Sequence, residues 1–169
     1  SISISELLVP AEDEETTEDF RKRYFDSFAS QSFGGNIADY KEKVKAISGV
    51  AGVKVIPVWQ GPGTVKLTIL SSDYAAPSTE LIQQVQEKID PTENTGKGYG
   101  IAPIGHKVTV EGVSALTVNI QTAVTYQSGW NYEASKSYIE KAIDGYFKEL
   151  AKEWETQKEL VVRISQIET

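Results

Sequence analysis

Residues 53–70 read VKVIPVWQGPGTVKLTIL, and their reading decides the fold. Two apolar stretches flank Gly61-Pro62-Gly63, which is turn chemistry, so the segment is a β-hairpin. A three-residue loop sets Trp59 opposite Val65, Pro57 opposite Leu67 and Val55 opposite Ile69. That register gathers the strongest apolar side chains on one face, whereas a slip of one residue divides them between two. Pro57 has no N–H to give to a ladder, so its strand is expected at an edge or paired there on one side only.

Working outward, two helices are expected before the hairpin. Thr16 or Thr17 caps the first, whose carboxylates suit the helix dipole, and Phe20, Tyr24 and Phe28 form an aromatic stripe at i, i+4, i+8. The run Ser32-Phe33-Gly34-Gly35-Asn36 breaks it, and Asn36 caps a second helix with Ile37, Tyr40, Val44 and Ile47 on one face, ending at Gly49. After the hairpin, Ser78 caps a third helix with Leu81, Ile82, Val85 and Ile89 buried, and Pro91 stops it. A long loop over 91–105 is rich in glycine, and a strand follows over 106–113. Residues 115–127 alternate Leu116, Val118, Ile120 and Thr122 with Thr117, Asn119 and Gln121, as a strand does. A long helix is expected over 132–156, with Ile139, Ile143, Tyr146, Phe147, Leu150 and Trp154 as its apolar face. Residues 160–164 suit a strand, or the start of a further helix through Ile164 and Ile167. Residues 1–9 read as a short strand without a local partner.

Hairpins in place of regular βαβ alternation give an α+β fold: two small α+β domains, with antiparallel or mixed sheets packed by helices. The expected boundaries are an N-terminal strand and linker over 1–13, a middle domain over 14–113 and a partial C-terminal domain over 114–169.

The totals narrow the function. The chain has 169 residues, a net charge of −7 and 40% hydrophobic residues. An acidic surface disfavours nucleic acid as the main partner, because phosphate binding needs basic residues. No apolar run reaches the roughly 18 residues of a membrane helix. Cysteine is absent, which removes disulfides, thiol nucleophiles and thiolate-bound metals.

Catalytic chemistry finds no foothold. His106 is the single histidine, so no two-histidine metal motif exists, and a structural or surface role is expected for it. The loop Gly96-Lys97-Gly98-Tyr99-Gly100 lacks the spacing and the strand-to-helix setting of a phosphate-binding loop. The acidic run over 12–19 lacks calcium-loop spacing. No serine lies in a nucleophile-elbow motif, and nothing singles out a carboxylate pair for glycoside hydrolysis. No catalytic, cofactor-binding or metal-binding residue is expected. Trp59 and Trp154 fall on apolar faces and are expected in cores, leaving Trp130 as the surface tryptophan.

Four segments together resemble the baseplate J-like proteins: Ser32-Phe33-Gly34-Gly35-Asn36, GVKVIPVWQGPGTVKL over 52–67, IAPIGHKVTV over 101–110 and LVVRISQIE over 160–168. The similarity runs from about residue 14 to residue 169. The resemblance implies a structural component of a phage, prophage or tail-like-particle baseplate with a contractile tail. Such wedge components join other tail subunits around a hub into a ring. It implies no catalytic residues, localisation in the virion after assembly in the bacterial host cytoplasm, and a piece that is a monomer or weak oligomer alone. On this reading residues 1–9 are the last strand of a preceding β-rich domain, and the C-terminal domain is cut where a second helix-then-hairpin unit begins. Candidate protein-contact loops are Ser32, Phe33, Gly34, Gly35 and Asn36, and Gly96, Lys97, Gly98, Tyr99 and Gly100. The alternative is a carbohydrate- or cell-surface-binding module using Trp130, Tyr99 and Tyr74, and a third possibility is a small hydrolase without a recognisable motif.

Overall fold

The computed structural model describes residues 15–29, 34–163 and 165. The expected N-terminal strand, Ser32, Phe33, Ile164, Ile167 and the side chain of Phe28 lie outside the described residues. The chain divides into two compact units, Ser1–Ser114 and Ala115–Thr169.

In the first unit, α1 spans Thr17–Ala29, α2 Ile37–Lys45, β1 Val50–Pro57, β2 Thr64–Ser71, α3 Thr79–Ile89 and β3 Lys107–Gly112. The helix starts follow the capping chemistry. Thr16 Oγ1 accepts from Asp19 N at 3.1 Å, Asn36 Oδ1 from Asp39 N at 2.8 Å and Ser78 Oγ from Leu81 N at 3.2 Å. Asp39 reaches back past the cap to accept from Gly35 N at 2.8 Å, so the start of α2 is tied to the glycine that leads into it. The helix ends at Lys45 with Ala46 as cap, short of Gly49.

The sheet is three-stranded and mixed, in the order β1-β2-β3. Strand β1, which holds Pro57, is an edge, as the missing N–H requires. Strand β2 is central, antiparallel to β1 and parallel to β3. The parallel pairing is made possible by the crossover through α3. Val53, Val65, Leu67, Ile69, Val108 and Val110 point to one face. Helices α2 and α3 cover that face with Tyr40, Val44, Leu81, Val85 and Ile89, joined by Ile47 from the turn after α2. Each fully buried aliphatic side chain contributes on the order of 2 kcal/mol, so this two-layer α+β core is what holds the unit together.

The hairpin register differs from expectation. Val65 lies opposite Pro57, Leu67 opposite Val55 and Ile69 opposite Val53, two residues away from the expected pairs. A shift of two preserves which face each side chain takes, so the core face is the expected one. The cause is a longer connection. Val58 turns into the left-handed region at φ 58°, and its N–H donates to Thr64 O at 2.7 Å. Thr64 Oγ1 then donates to Gly61 O at 2.7 Å and accepts from Gln60 N at 3.0 Å, fixing the turn with a side chain. Trp59 is carried away from Val65 and is not a core residue. It is half-buried, with Lys66 Nζ 5.2 Å from its ring centre, and Lys66 belongs to the opposite face of the sheet.

The free edge of β3 is closed by side chains of α3 and its cap. Gln86 Oε1 accepts from Val110 N at 2.9 Å, and Gln86 Nε2 donates to Val108 O at 3.0 Å. Asp90, only 1% exposed, accepts from Val108 N and from Gly96 N, each at 2.9 Å. With Val108 N, Val108 O and Val110 N taken up this way, the strand offers little of a template on that side.

In the second unit, α4 spans Tyr132–Lys152, capped by Asn131 Oδ1, which accepts from Ala134 N at 2.9 Å. It stops four residues before the expected end, and residues 153–156 continue as turns. The strand expected over 115–127 is not formed: these residues have no ladder partner among the described residues, and Leu116 is 87% exposed. Alternation selects two faces, but a strand also needs a neighbour to take its hydrogen bonds. Residues 160–163 are likewise without regular structure. Trp154 is half-buried rather than enclosed, as are Ile139, Ile143, Tyr146, Phe147 and Leu150 along α4. Among the described residues, no helix is long and apolar enough to cross a membrane.

Replacing Asp90 by Ala leaves two amide donors without their acceptor at a buried position. The expected loss is about 2–4 kcal/mol, read as a lower urea midpoint with unchanged slope. A variant as stable as the parent would show that the carboxylate does not hold β3 and the glycine loop.

Candidate functional site

Of the glycines in the two candidate contact loops, Gly34 is exposed with open space around it, whereas Gly35, Gly96, Gly98 and Gly100 each lie against another part of the first unit. Gly35 adopts φ 82°, and a Cβ there would stand 2.4 Å from Pro103 Cγ and 3.2 Å from His106 Cε1. Gly100 presses on the end of α3, where a Cβ would meet Ile89 O at 2.4 Å. Gly96 is bound to Asp90 and accepts from Gly105 N at 2.8 Å, while Gly98 lies against Ile104. Asn36 is occupied in capping α2. What the glycine-rich loop offers outward is therefore Lys97, Gly98, Tyr99 and Ile104, all exposed on a tightly tied backbone.

His106 joins these loops to α2. Its Nδ1 lies 2.8 Å from Tyr40 Oη, and the two rings stack at 6.0 Å with 19° between their planes. Burial, with the carboxylates of Asp90 and Asp39 nearby, pushes the Tyr40 hydroxyl well above the usual phenol range. The hydroxyl therefore keeps its proton and can donate to Nδ1. The lone histidine serves here as a cross-link between elements 66 positions apart.

Beside this pair the surface dips into an open depression of about 140 Å³. Its walls are Gly35, Ile37 and Tyr40 from α2 and its lead-in, Val55, Pro57 and Val58 from β1 and the turn, and Gly63, Thr64, Val65 and His106. Ile37 and Val58 are exposed, Val58 to 60%. A β-branched residue with positive φ is held against its own preference, which the surrounding hydrogen bonds must overcome. No carboxylate lines the depression, and its titratable groups, Tyr40 and His106, are hydrogen-bonded to each other. Among the described residues, no group of three or more His, Asp or Glu side chains is placed to hold a metal ion.

The sheet face away from the helices carries a polar cluster. Lys66 Nζ is 2.9 Å from Glu111 Oε1, and Thr68 Oγ1 donates to the same carboxylate at 3.1 Å. The Lys66 hydrogen bond holds the Glu111 carboxyl below the usual range, against a smaller opposing effect of burial. The exposed aromatics expected for glycan stacking are Tyr99 in the first unit and Trp130 in the second, while Tyr74 is half-buried. Trp130 packs edge-on against Tyr138 with ring centres 6.2 Å apart.

Residues 32–112 match the family model of the baseplate J-like central domain, and residues 118–169 match that of the baseplate J-like protein C-terminal domain. The chain belongs to the baseplate J-like family. It is 35% identical over 164 residues to phage-like element PBSX protein XkdT of Bacillus subtilis (strain 168), covering 97% of this chain and 45% of that protein. It is equally similar, with the same coverage, to the uncharacterized protein YqbT of that organism. The chain thus spans about half the length of these relatives. In this baseplate J-like chain, the central-domain match contains the whole sheet, both packed helices and the depression.

Side-chain pairs that organise this domain were not marked by any motif. Gln86, on the helix face otherwise read as apolar, and Asp90, directly before Pro91, are the positions where a polar residue interrupts an apolar pattern. That interruption is the only signal the sequence contains for them.

Replacing Tyr40 by Phe removes the bond to His106 at constant shape, with an expected loss of about 1 kcal/mol. Removing His106 as well should add little, which a double-mutant cycle in urea reads directly. Glu111 supplies a pH dependence of known sign. Its carboxyl is lowered in the folded state, so the stabilisation it gives is present above the unfolded carboxylate pKa and disappears as pH falls through the folded value. Its partly exposed pair is worth at most about 1 kcal/mol. Glu111→Gln should therefore lower the midpoint at neutral pH and leave it unchanged below the carboxylate range. Equal losses at both pH values would refute that assignment.

Proposed function

We propose that this chain is part of a structural subunit of a contractile-tail baseplate, in a phage, a prophage or a tail-like particle, and that it acts through protein–protein contacts rather than catalysis. The observation that carries the reading is the succession of a baseplate J-like central domain and a baseplate J-like C-terminal domain along one chain. The relative named as a protein of the phage-like element PBSX supports it. The chemistry agrees: the depression is apolar and shallow, and its loops are stiff carriers of exposed side chains rather than holders of acids and bases.

In this role the subunit is a wedge that joins neighbouring tail subunits in a ring, within the virion and assembled in the host cytoplasm. Residues 14–113 form the middle domain and residues 114–169 belong to the C-terminal domain. Gly34, Gly35 and Asn36 shape one contact surface, and Lys97, Gly98 and Tyr99 provide the other. Heterologous contacts of this kind close into rings when the rotation between copies allows it.

The test is location. With an epitope tag on the full-length protein, gold label should collect at one end of purified tails, and deletion of the gene should give tails without a baseplate. Label along the sheath, or particles with an intact baseplate in the deletion strain, would sink the proposal.

A further inference from the structure

Residues 115–125 have the alternation of a strand and none of its pairing. Among the described residues, 115–126 take part in no hydrogen bond. Leu116, Val118, Ile120 and Val124 are exposed on one side of the alternation, and Thr117, Asn119, Gln121 and Thr125 occupy the other. The β-branched residues Thr117, Val118, Ile120, Thr122, Val124 and Thr125 favour an extended backbone. An extended backbone whose amides and carbonyls are unused is a template for another strand.

The segment is also uncharged. Residues 115–132 contain no Asp, Glu, Lys, Arg or His, on a chain of net charge −7. A charged partner strand finds no counter-charge here, whereas two copies of the segment meet without local repulsion. The pattern matches itself when reversed about Ile120. An antiparallel pairing centred there sets Leu116 opposite Val124, Val118 opposite Thr122 and Asn119 opposite Gln121, with Ile120 opposite itself. Apolar side chains then share one face, and carboxamides meet on the other.

We infer that residues 115–125 pair antiparallel with the same residues of a second copy, so that the strand forms on association. Antiparallel pairing about one residue is the arrangement a two-fold axis produces. A two-stranded ribbon alone is marginal in water, so the contact is weak. This goes beyond the baseplate reading, which names no neighbour. Self-association can fail while the protein still assembles with other tail subunits.

Sedimentation equilibrium on this chain tests it. Association is expected near roughly 100 µM, strengthening with salt, because each copy is acidic and the contact contains no ion pair. Ile120→Lys and Ile120→Glu each put like charges face to face at the centre and should weaken association at least about tenfold. Mixed together, the two variants oppose an ammonium to a carboxylate and should recover it. The chain has no cysteine, so introduced thiols report the register. The Cα of Ile120→Cys lies about 5 Å from that of its own copy, and this variant should oxidise to a linked dimer. Val118→Cys lies about 13 Å from its own copy and should link only when mixed with Thr122→Cys. A wild-type monomer at roughly 1 mM, charged variants that associate like the wild type, no recovery on mixing, or Val118→Cys linking to itself as fast as Ile120→Cys does would each overturn the inference. So would amide protection over 115–125 in a monomer, which would mean that the strand finds its partner within its own chain.

Discussion

The first unit depends on how β3 is attached. This strand joins the sheet in parallel, 36 positions after β2 ends, through a helix and a glycine-rich loop. One of its edges pairs with β2, and the other would present bare amide and carbonyl groups. Gln86 and Asp90 close that second edge from α3. The same carboxylate binds Gly96, so one buried group holds the strand, the helix end and the loop together. A buried carboxylate is costly unless its oxygens are satisfied, and here they accept two amide hydrogens. That is why Asp90 is tolerated at the rim of an otherwise aliphatic core.

Most of this unit was legible because its signals are local. Asn36 and Ser78 are caps, the stripes Tyr40-Val44-Ile47 and Leu81-Val85-Ile89 have helical spacing, and Pro57 points to an edge. The hairpin shows where local reasoning stops. The demand that Val65, Leu67 and Ile69 share a face fixes only the parity of the register, and a slip of two residues satisfies it equally. What chooses between the two is the turn, where Val58 takes a backbone conformation its side chain disfavours and Thr64 completes the hydrogen bonds. Composition does not announce either. The placement of Trp59 went astray for the same reason, since its assignment to the core rested on the register.

The second unit fails to read out for a different physical cause. Residues 115–127 have strand periodicity, and α4 has an amphipathic face, yet periodicity states only which side would be buried. It does not supply the partner. Among the described residues the strand has no ladder neighbour, and no residue of α4 is fully buried. A helix such as α4 satisfies most of its own backbone, with Asn131 capping its start and a partly buried apolar face. A strand cannot do so, and this asymmetry explains why one of two equally clear patterns is realised.

The rigidity of the loops bears on how such a chain can act. Glycines usually suggest mobility, but Gly35 and Gly100 are required here by close approach, with no room for a methyl group. The backbone that carries Lys97, Tyr99, Ile104 and Val58 is tied down by Asp90, Gly105 and Thr64. Ordering a loose loop on association costs free energy that must be recovered from the contact. Side chains already held in place avoid that cost, so even a modest contact can form without first ordering the surface. The same tethering denies the loops the freedom to close over a small ligand. Tight glycine packing, a capped sheet edge and exposed apolar side chains on fixed backbone are therefore parts of one arrangement, suited to meeting another protein surface.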